Sequence, residues 1–158
     1  MQQARRAFKI LKQKLTEMAT RPFFDSRLPI TLQTDTCEQG LGAVILQEGR
    51  PVLYASRYLT SVESRYSQIE REFLGIVFGL NKFKLYSLAQ HFVVETDHLP
   101  ILGLMDKPID KLSNRLQRWM LNIQHFDFEL RHIRGKDNIL SDALSRNSIV
   151  CLPSDSET

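Results

Sequence analysis

A chain of 158 residues with 42% hydrophobic and 25% charged side chains is long enough to bury one real core and too short for two catalytic domains. That composition excludes disordered and fibrous classes, and a net charge of +3 with a pI near 9.0 admits an anionic partner without demanding one. The longest apolar run, Leu41 to Leu46 broken by Gly42, falls far short of the roughly 20 residues of a membrane span. Met1 to Lys14 lacks the apolar stretch of a signal peptide, and Cys37 and Cys151 show neither a disulfide framework nor a metal-ligand spacing, so a reducing, intracellular setting is expected.

Ala4, Phe8, Leu11, Leu15 and Met18 recur at helical spacing, which predicts an amphipathic docking helix over 4–18 before the turn at Arg21 and Pro22. Ile30, Leu32 and Thr34 then alternate with Thr31, Gln33 and Asp35, the pattern of a strand whose last residue emerges at the sheet edge. Turns at 38–40 and 48–50 separate this strand from two more, over 41–47 and 52–57, and such short connections predict an antiparallel meander. From Ser64 to Tyr86 the period becomes helical, with Ile69, Phe73, Ile76, Val77, Leu80 and Phe83 on one arc. A strand over 92–97, reached by that helical crossover, can lie parallel to the meander. Pro100 and Ile101 open a short helix, 106–111 is a loop and 114–124 a further helix. Phe126, Phe128, Leu130 and His132 alternate along a fifth strand that Gly135 ends. Asp137 or Asn138 caps a last helix to Arg146, and a solvated tail follows.

Four carboxylates fall one to an element: Asp35 and Asp97 at strand ends, Glu72 on a helix and Asp142 on the last helix. At about 100° per residue, Glu72 points between Gly79 on one side and Ile76 and Phe83 on the other, toward the sheet. An unpaired carboxylate there costs several kcal/mol unless a partner or a metal compensates it. Gly75 and Gly79 would let this helix approach the sheet closely. Taken singly, Glu72 reads as half of an ion pair, each strand-end Asp as a turn or cap residue, and Asp142 as solvated. Taken together they read as a divalent-metal site for cutting a nucleic-acid backbone, because magnesium prefers oxygen ligands and in-line phosphodiester cleavage is served by two ions roughly 4 Å apart.

Around this set the signals are weaker. Glu70 points to the opposite edge of the arc and reads as a surface residue or as one that supports the acids without touching a ligand. His98 suits an orienting or loop-packing role better than ligation, and His132, on the face of Phe126 and Phe128, suits core or edge packing; His91 and His125 carry no signal. Lys82, Lys84, Arg115 and Arg118 can meet phosphates or form a solvated face. Trp119 reads as core or interface rather than a base-stacking platform.

Four stretches carry a family likeness: LQTDTCEQGLGAVILQ with Asp35, LYASRYLTSVESRYSQIEREFLGIVFGLNKFKLY with Glu72, FVVETDHLPILGL with Asp97, and LQRWMLNIQHFDFELRHIRGKDNILSDALSR with Asp142. In this order and spacing, and from the AFKILKQKLTEMATRPFF entry segment to the closing DALSR, the chain resembles the ribonuclease H domain of a gypsy-type LTR retrotransposon reverse transcriptase. The resemblance implies an α/β, ribonuclease H-like fold: a five-stranded mixed sheet, three antiparallel strands then two parallel, flanked by helices. It also implies a metal-dependent endonuclease that cuts the RNA strand of RNA/DNA hybrids during reverse transcription, leaving 5′-phosphate and 3′-hydroxyl ends. Asp35 would bridge two Mg²⁺ ions, with Mn²⁺ as a substitute, Asp142 would help hold the ion that activates water, and Glu72 and Asp97 the ion on the leaving-group side. Selection by 2′-hydroxyls across a wide minor groove makes Ser67, Asn81 and Asn138 candidate contacts beside Lys82, Lys84, Arg115 and Arg118.

The chain departs from the family in three places. Cys37 replaces the small residue usual after the TD motif, no histidine stands in 135–138 before the last acid, and no basic protrusion lies between Asp97 and Arg115. The expected organisation is a connecting helix at 1–25, the ribonuclease H domain at 26–147 and a flexible tail at 148–158. Expected partners are a hybrid duplex and the polymerase and connection part of a reverse transcriptase, or a second subunit, without a membrane, in cytoplasm, nucleus or a virus-like particle. The competing expectation is a catalytically silent module with the same fold, kept for nucleic-acid binding or subunit contact and possibly domesticated by a host. Four intact acids weigh against it, because mutual repulsion costs stability and unused acids are easily lost.

Overall fold

The computed structural model describes Lys9, Gln13 and residues 23–146; the rest of the predicted N-terminal helix, and the tail, lie outside the described residues. Strands β1 (Thr31–Thr36), β2 (Gly40–Gln47) and β3 (Arg50–Tyr58) come first, followed by helices α1 (Gln68–Lys82) and α2 (Lys84–Ser87). Strand β4 (Phe92–Thr96), helices α3 (Pro100–Met105) and α4 (Asn114–Ile123), strand β5 (Phe128–His132) and helix α5 (Ile139–Arg146) complete the order. The sheet runs β3-β2-β1-β4-β5. Pairs β1/β2 and β2/β3 are antiparallel, while β4 lies parallel to β1 and β5 parallel to β4, which is the predicted mixed sheet. Glu48 and Gly49 close the β2–β3 hairpin with positive φ of 51° and 74°, the left-handed geometry that two-residue hairpin turns require.

Alternation along the strands divides the apolar side chains between two faces. Leu32, Ala43, Ile45, Phe92 and Val94 meet Phe73, Ile76 and Leu80 of α1 and Ile101, Leu116 and Ile123 of α3 and α4. Val44, one step out of phase with Ala43 and Ile45, packs with Leu140 and Leu144 of α5 in a second, smaller cluster. The sheet is therefore held between α1 and α5, and the carboxyl end of β1 opens between them. Trp119 packs partly buried against the main core, 6.2 Å from Phe73 by ring centroids, as expected of it.

Three local expectations need correction. The helix read continuously from Ser64 to Tyr86 is three pieces, because Glu63–Arg65 is a 3-10 turn, Ser67 caps α1, and Phe83 (φ −103°, ψ 24°) interrupts the helix before α2. Apolar periodicity passes through such breaks without registering them, whereas Ser67 and Glu70 form a reciprocal capping box that fixes the start. Strand β5 begins at Phe128 rather than Phe126, whose N–H donates to Ile123 O in a turn. His132 is exposed instead of packed, with Nε2 3.2 Å from Asp97 O.

Candidate metal centre

Two parallel neighbours, β1 and β4, both end at the same sheet edge, so Asp35 near the end of β1 and Asp97 just past β4 are brought side by side. Helix α1 crosses this edge closely. A Cβ on Gly75 would stand 2.6 Å from Thr36 Oγ1, and one on Gly79 3.1 to 3.3 Å from Thr34, Ala43 and Leu32 side-chain atoms, so these glycines permit the approach that delivers Glu72. One carboxylate oxygen each from Asp35, Glu72 and Asp97 lies within 4.8 Å of the other two.

The surroundings make this cluster electrostatically unfavourable when nothing shares its charge. Burial, then the charge of Asp35, then that of Asp97 push the Glu72 carboxyl up to about 8. Burial likewise raises Asp35 to about 6, with Asp97 and Asp142 adding to the rise, while the Ser145 hydroxyl and the Arg146 charge pull the other way. Hard oxygen donors, crowded and partly desolvated, fit Mg²⁺ or Mn²⁺ better than soft-ligand metals.

Asp142 is outside the group of three. Its charge reaches Asp35, yet its Oδ1 accepts from Arg146 Nε at 2.7 Å, one helical turn away on α5. Ser145, 1% exposed, donates through Oγ to Asp35 Oδ2 at 2.5 Å. Helix α5 reaches this position because residue 42 is glycine: a Cβ there would sit 2.3 Å from Ser141 O and 2.7 Å from Ser145 N. Asp142 and Arg146 stand at a helical i,i+4 spacing that sequence alone can read. The Ser145 contact spans 110 residues and is visible only in three dimensions. A Cβ on Gly135 would stand 3.2 Å from Asp97 Oδ2, so the loop before α5 borders the cluster.

The other residues singled out from the sequence divide by exposure. Lys82, Lys84 and Arg118 are exposed, as is Asn81, whose amide donates to Asn122 Oδ1. Ser67 is exposed and serves as the α1 cap. Arg115 is committed inward: its NH1 lies 3.0 Å from Glu70 Oε1, and its guanidinium lies 3.7 Å from the Tyr66 ring centroid. Glu70 is accordingly a cap and ion-pair residue rather than a loose surface acid. Asn138 is fully buried, donating to Thr34 O and accepting from Ser141 Oγ, so it braces α5 against β1 instead of presenting itself to a ligand. Cys37 Sγ lies 2.9 Å from Ser145 O, beside the same helix end. His98 is held down in its basicity, first by burial. A cavity of about 510 Å³ between α3, α4 and β5, lined by Met105, Met120, Phe126, Phe128 and Leu130 among others, includes none of these acids in its lining.

Among the described residues no helix is long and apolar enough to cross a membrane. Residues 25–126 match the family described as the RNase H-like domain found in reverse transcriptase. The chain is 36% identical over 128 residues to the retrovirus-related Pol polyprotein from transposon 297 of Drosophila melanogaster, a match covering 81% of this chain and 12% of that protein. It is 32% identical over 157 residues to the Pol polyprotein from transposon gypsy of the same organism, covering 98% and 15%. The chain thus spans about an eighth of the length of these curated relatives. Among solved structures, LC11-RNase H1 in complex with an RNA/DNA hybrid superposes with a TM-score of 0.57 at 17% identity, covering 73% of this chain and 92% of that one; the likeness is one of fold.

Proposed function

Since the chain belongs to the family of RNase H-like domains found in reverse transcriptases, we propose that it is a divalent-metal-dependent endonuclease that hydrolyses the RNA strand of RNA/DNA hybrids. The observation that carries this reading is the meeting of Asp35, Glu72 and Asp97 oxygens within 4.8 Å at the edge where two parallel strands end. Asp35, Glu72 and Asp97 would hold a Mg²⁺ or Mn²⁺ ion, and Asp142 would join them for a second. Bound there, such ions supply an activated water and neutralise charge developing on the phosphate. The protein's own part is to hold the acids. The strand ends fix Asp35 and Asp97, α1 lays Glu72 over them, and the Ser145 hydroxyl restrains Asp35 from behind.

Exposed Lys82, Lys84 and Arg118, with Ser67 and Asn81, are proposed to meet the duplex backbone; Arg115 would act there only by leaving Glu70. We assign the acting unit to residues 26–147, joined through 1–25 to the polymerase part of a reverse transcriptase. Its place of work would be intracellular, in cytoplasm, nucleus or a virus-like particle.

The test is cleavage of a labelled RNA/DNA hybrid in millimolar Mg²⁺ or Mn²⁺ by wild type, Asp35→Asn and Asp142→Asn. Metal-dependent cutting of the RNA strand only, reduced at least about a hundredfold by Asp35→Asn, is the expected result. Equal hybrid binding by all three proteins without cutting, even at high protein concentration, would establish the silent binding module instead.

A further inference from the structure

The last turn of α5 does something at this site that a simple acid cluster does not require. Two successive side chains each occupy a carboxylate: Ser145 Oγ donates to Asp35 Oδ2 at 2.5 Å, and Arg146 Nε donates to Asp142 Oδ1 at 2.7 Å. Ser145 Oγ also lies 2.9 Å from Asp142 O, so the two contacts belong to one rigid turn. The turn cannot recede independently of the sheet, because Gly42 receives it at backbone contact and Cys37 Sγ lies 2.9 Å from Ser145 O. Arg146 itself is largely exposed, its side chain 66% accessible, and among the described residues its guanidinium bonds to Asp142.

The geometry points to Arg146 as a positioning residue that competes with a divalent cation for Asp142. In this arrangement the centre fills unequally. One ion needs only the oxygens already gathered from Asp35, Glu72 and Asp97. A further ion that draws on Asp142 meets a carboxylate whose Oδ1 already accepts from Arg146, and whose charge that guanidinium partly offsets, while the same positive charge also reaches Asp35. An exposed i,i+4 ion pair is weak, so Arg146 shifts the occupancy of the second ion rather than forbidding it; the competition is worth about two- to fivefold in affinity. This rests on the metal-centre reading above and adds to it an order of filling and the residue that sets it.

Calorimetric titration of the full chain with Mn²⁺, checked by the electron paramagnetic resonance signal of free Mn²⁺, tests it without reference to activity. Wild type is expected to bind in two steps, and Asp142→Asn to lose or weaken chiefly the weaker one. Arg146→Met, which keeps a long apolar stem and removes donor and charge, should tighten that weaker step about two- to fivefold and the tighter one by less, through the charge that reaches Asp35. Arg146→Lys, retaining the charge without the planar donor, should fall between. An Arg146→Met protein whose weaker step is unmoved or weakened, or an Asp142→Asn protein that keeps both steps intact, overturns the competition while leaving the centre itself standing. Titration that Asp35→Asn does not alter removes the metal centre, and with it this inference.

Discussion

At the residue scale, Glu72 and Asp35 set the behaviour of the metal-free protein. Both carboxyls are raised, to about 8 and about 6, by burial first and by neighbouring acids second. A group that holds its proton more tightly folded than unfolded stabilises the fold in full below its unfolded value, near 4, and that stability is lost as pH rises through the folded value. Thermal unfolding of metal-free protein should therefore show the cluster's contribution falling between about pH 4 and pH 8, by a total on the order of a few kcal/mol. Millimolar Mg²⁺ should restore stability, increasingly so toward pH 8, since the cation binds the ionised acids. Asp35→Asn should raise the melting temperature of the metal-free protein at pH 8 and abolish the Mg²⁺-induced rise. A melting temperature indifferent to pH in the absence of metal would mean that the acids are already neutralised by something else. Of these residues, sequence alone could place Glu72, because its direction on the helix follows from the apolar arc. It could not supply Ser145 as the partner of Asp35, because no periodicity links positions on different elements.

At the element scale, the close packing of α5 on β2 can be tested through Gly42. A methyl group at residue 42 would meet backbone atoms, Ser141 O at 2.3 Å and Ser145 N at 2.7 Å, which cannot rotate away. Gly42→Ala should cost on the order of 1–3 kcal/mol and, by lifting Ser145 from Asp35, weaken metal binding as well. Gly103 on α3 provides the contrast, because a Cβ there meets nothing within 4 Å. Gly103→Ala should stabilise by about 0.5–1 kcal/mol through helix propensity alone. Ser67→Ala, which removes half of the α1 capping box, should cost about 1 kcal/mol in a denaturant titration. That box was readable as Ser67 and Glu70 three apart, yet the apolar period running from Ser64 to Tyr86 conceals it. Hydrophobic spacing reports which face is buried, not where the backbone turns into and out of the helix.

For the whole molecule, the sheet order decides where chemistry can occur. The crossover through α1 places β4 parallel to β1, so their carboxyl ends share an edge and two acids 62 positions apart in the chain meet. Charge on the same molecule should govern duplex binding. Replacing exposed Lys82 or Arg118 with Gln should weaken hybrid affinity similarly for all sequences and reduce the salt dependence, each by about one phosphate contact, while Arg115→Gln should mainly destabilise α1 against α4. Alternation and helical spacing, being local, carried most of the strand and helix pattern, and motif order, being linear, carried the expectation of a mixed sheet and of four acids that act together. Only the tertiary structure decided that three acids converge while Asp142 turns to Arg146, that Asn138 is buried bracing and that Ser145 restrains Asp35. The physical reason is that convergence depends on how closely helices settle on the sheet, and that closeness is set by missing Cβ atoms at Gly42, Gly75 and Gly79 facing partners far away in the chain.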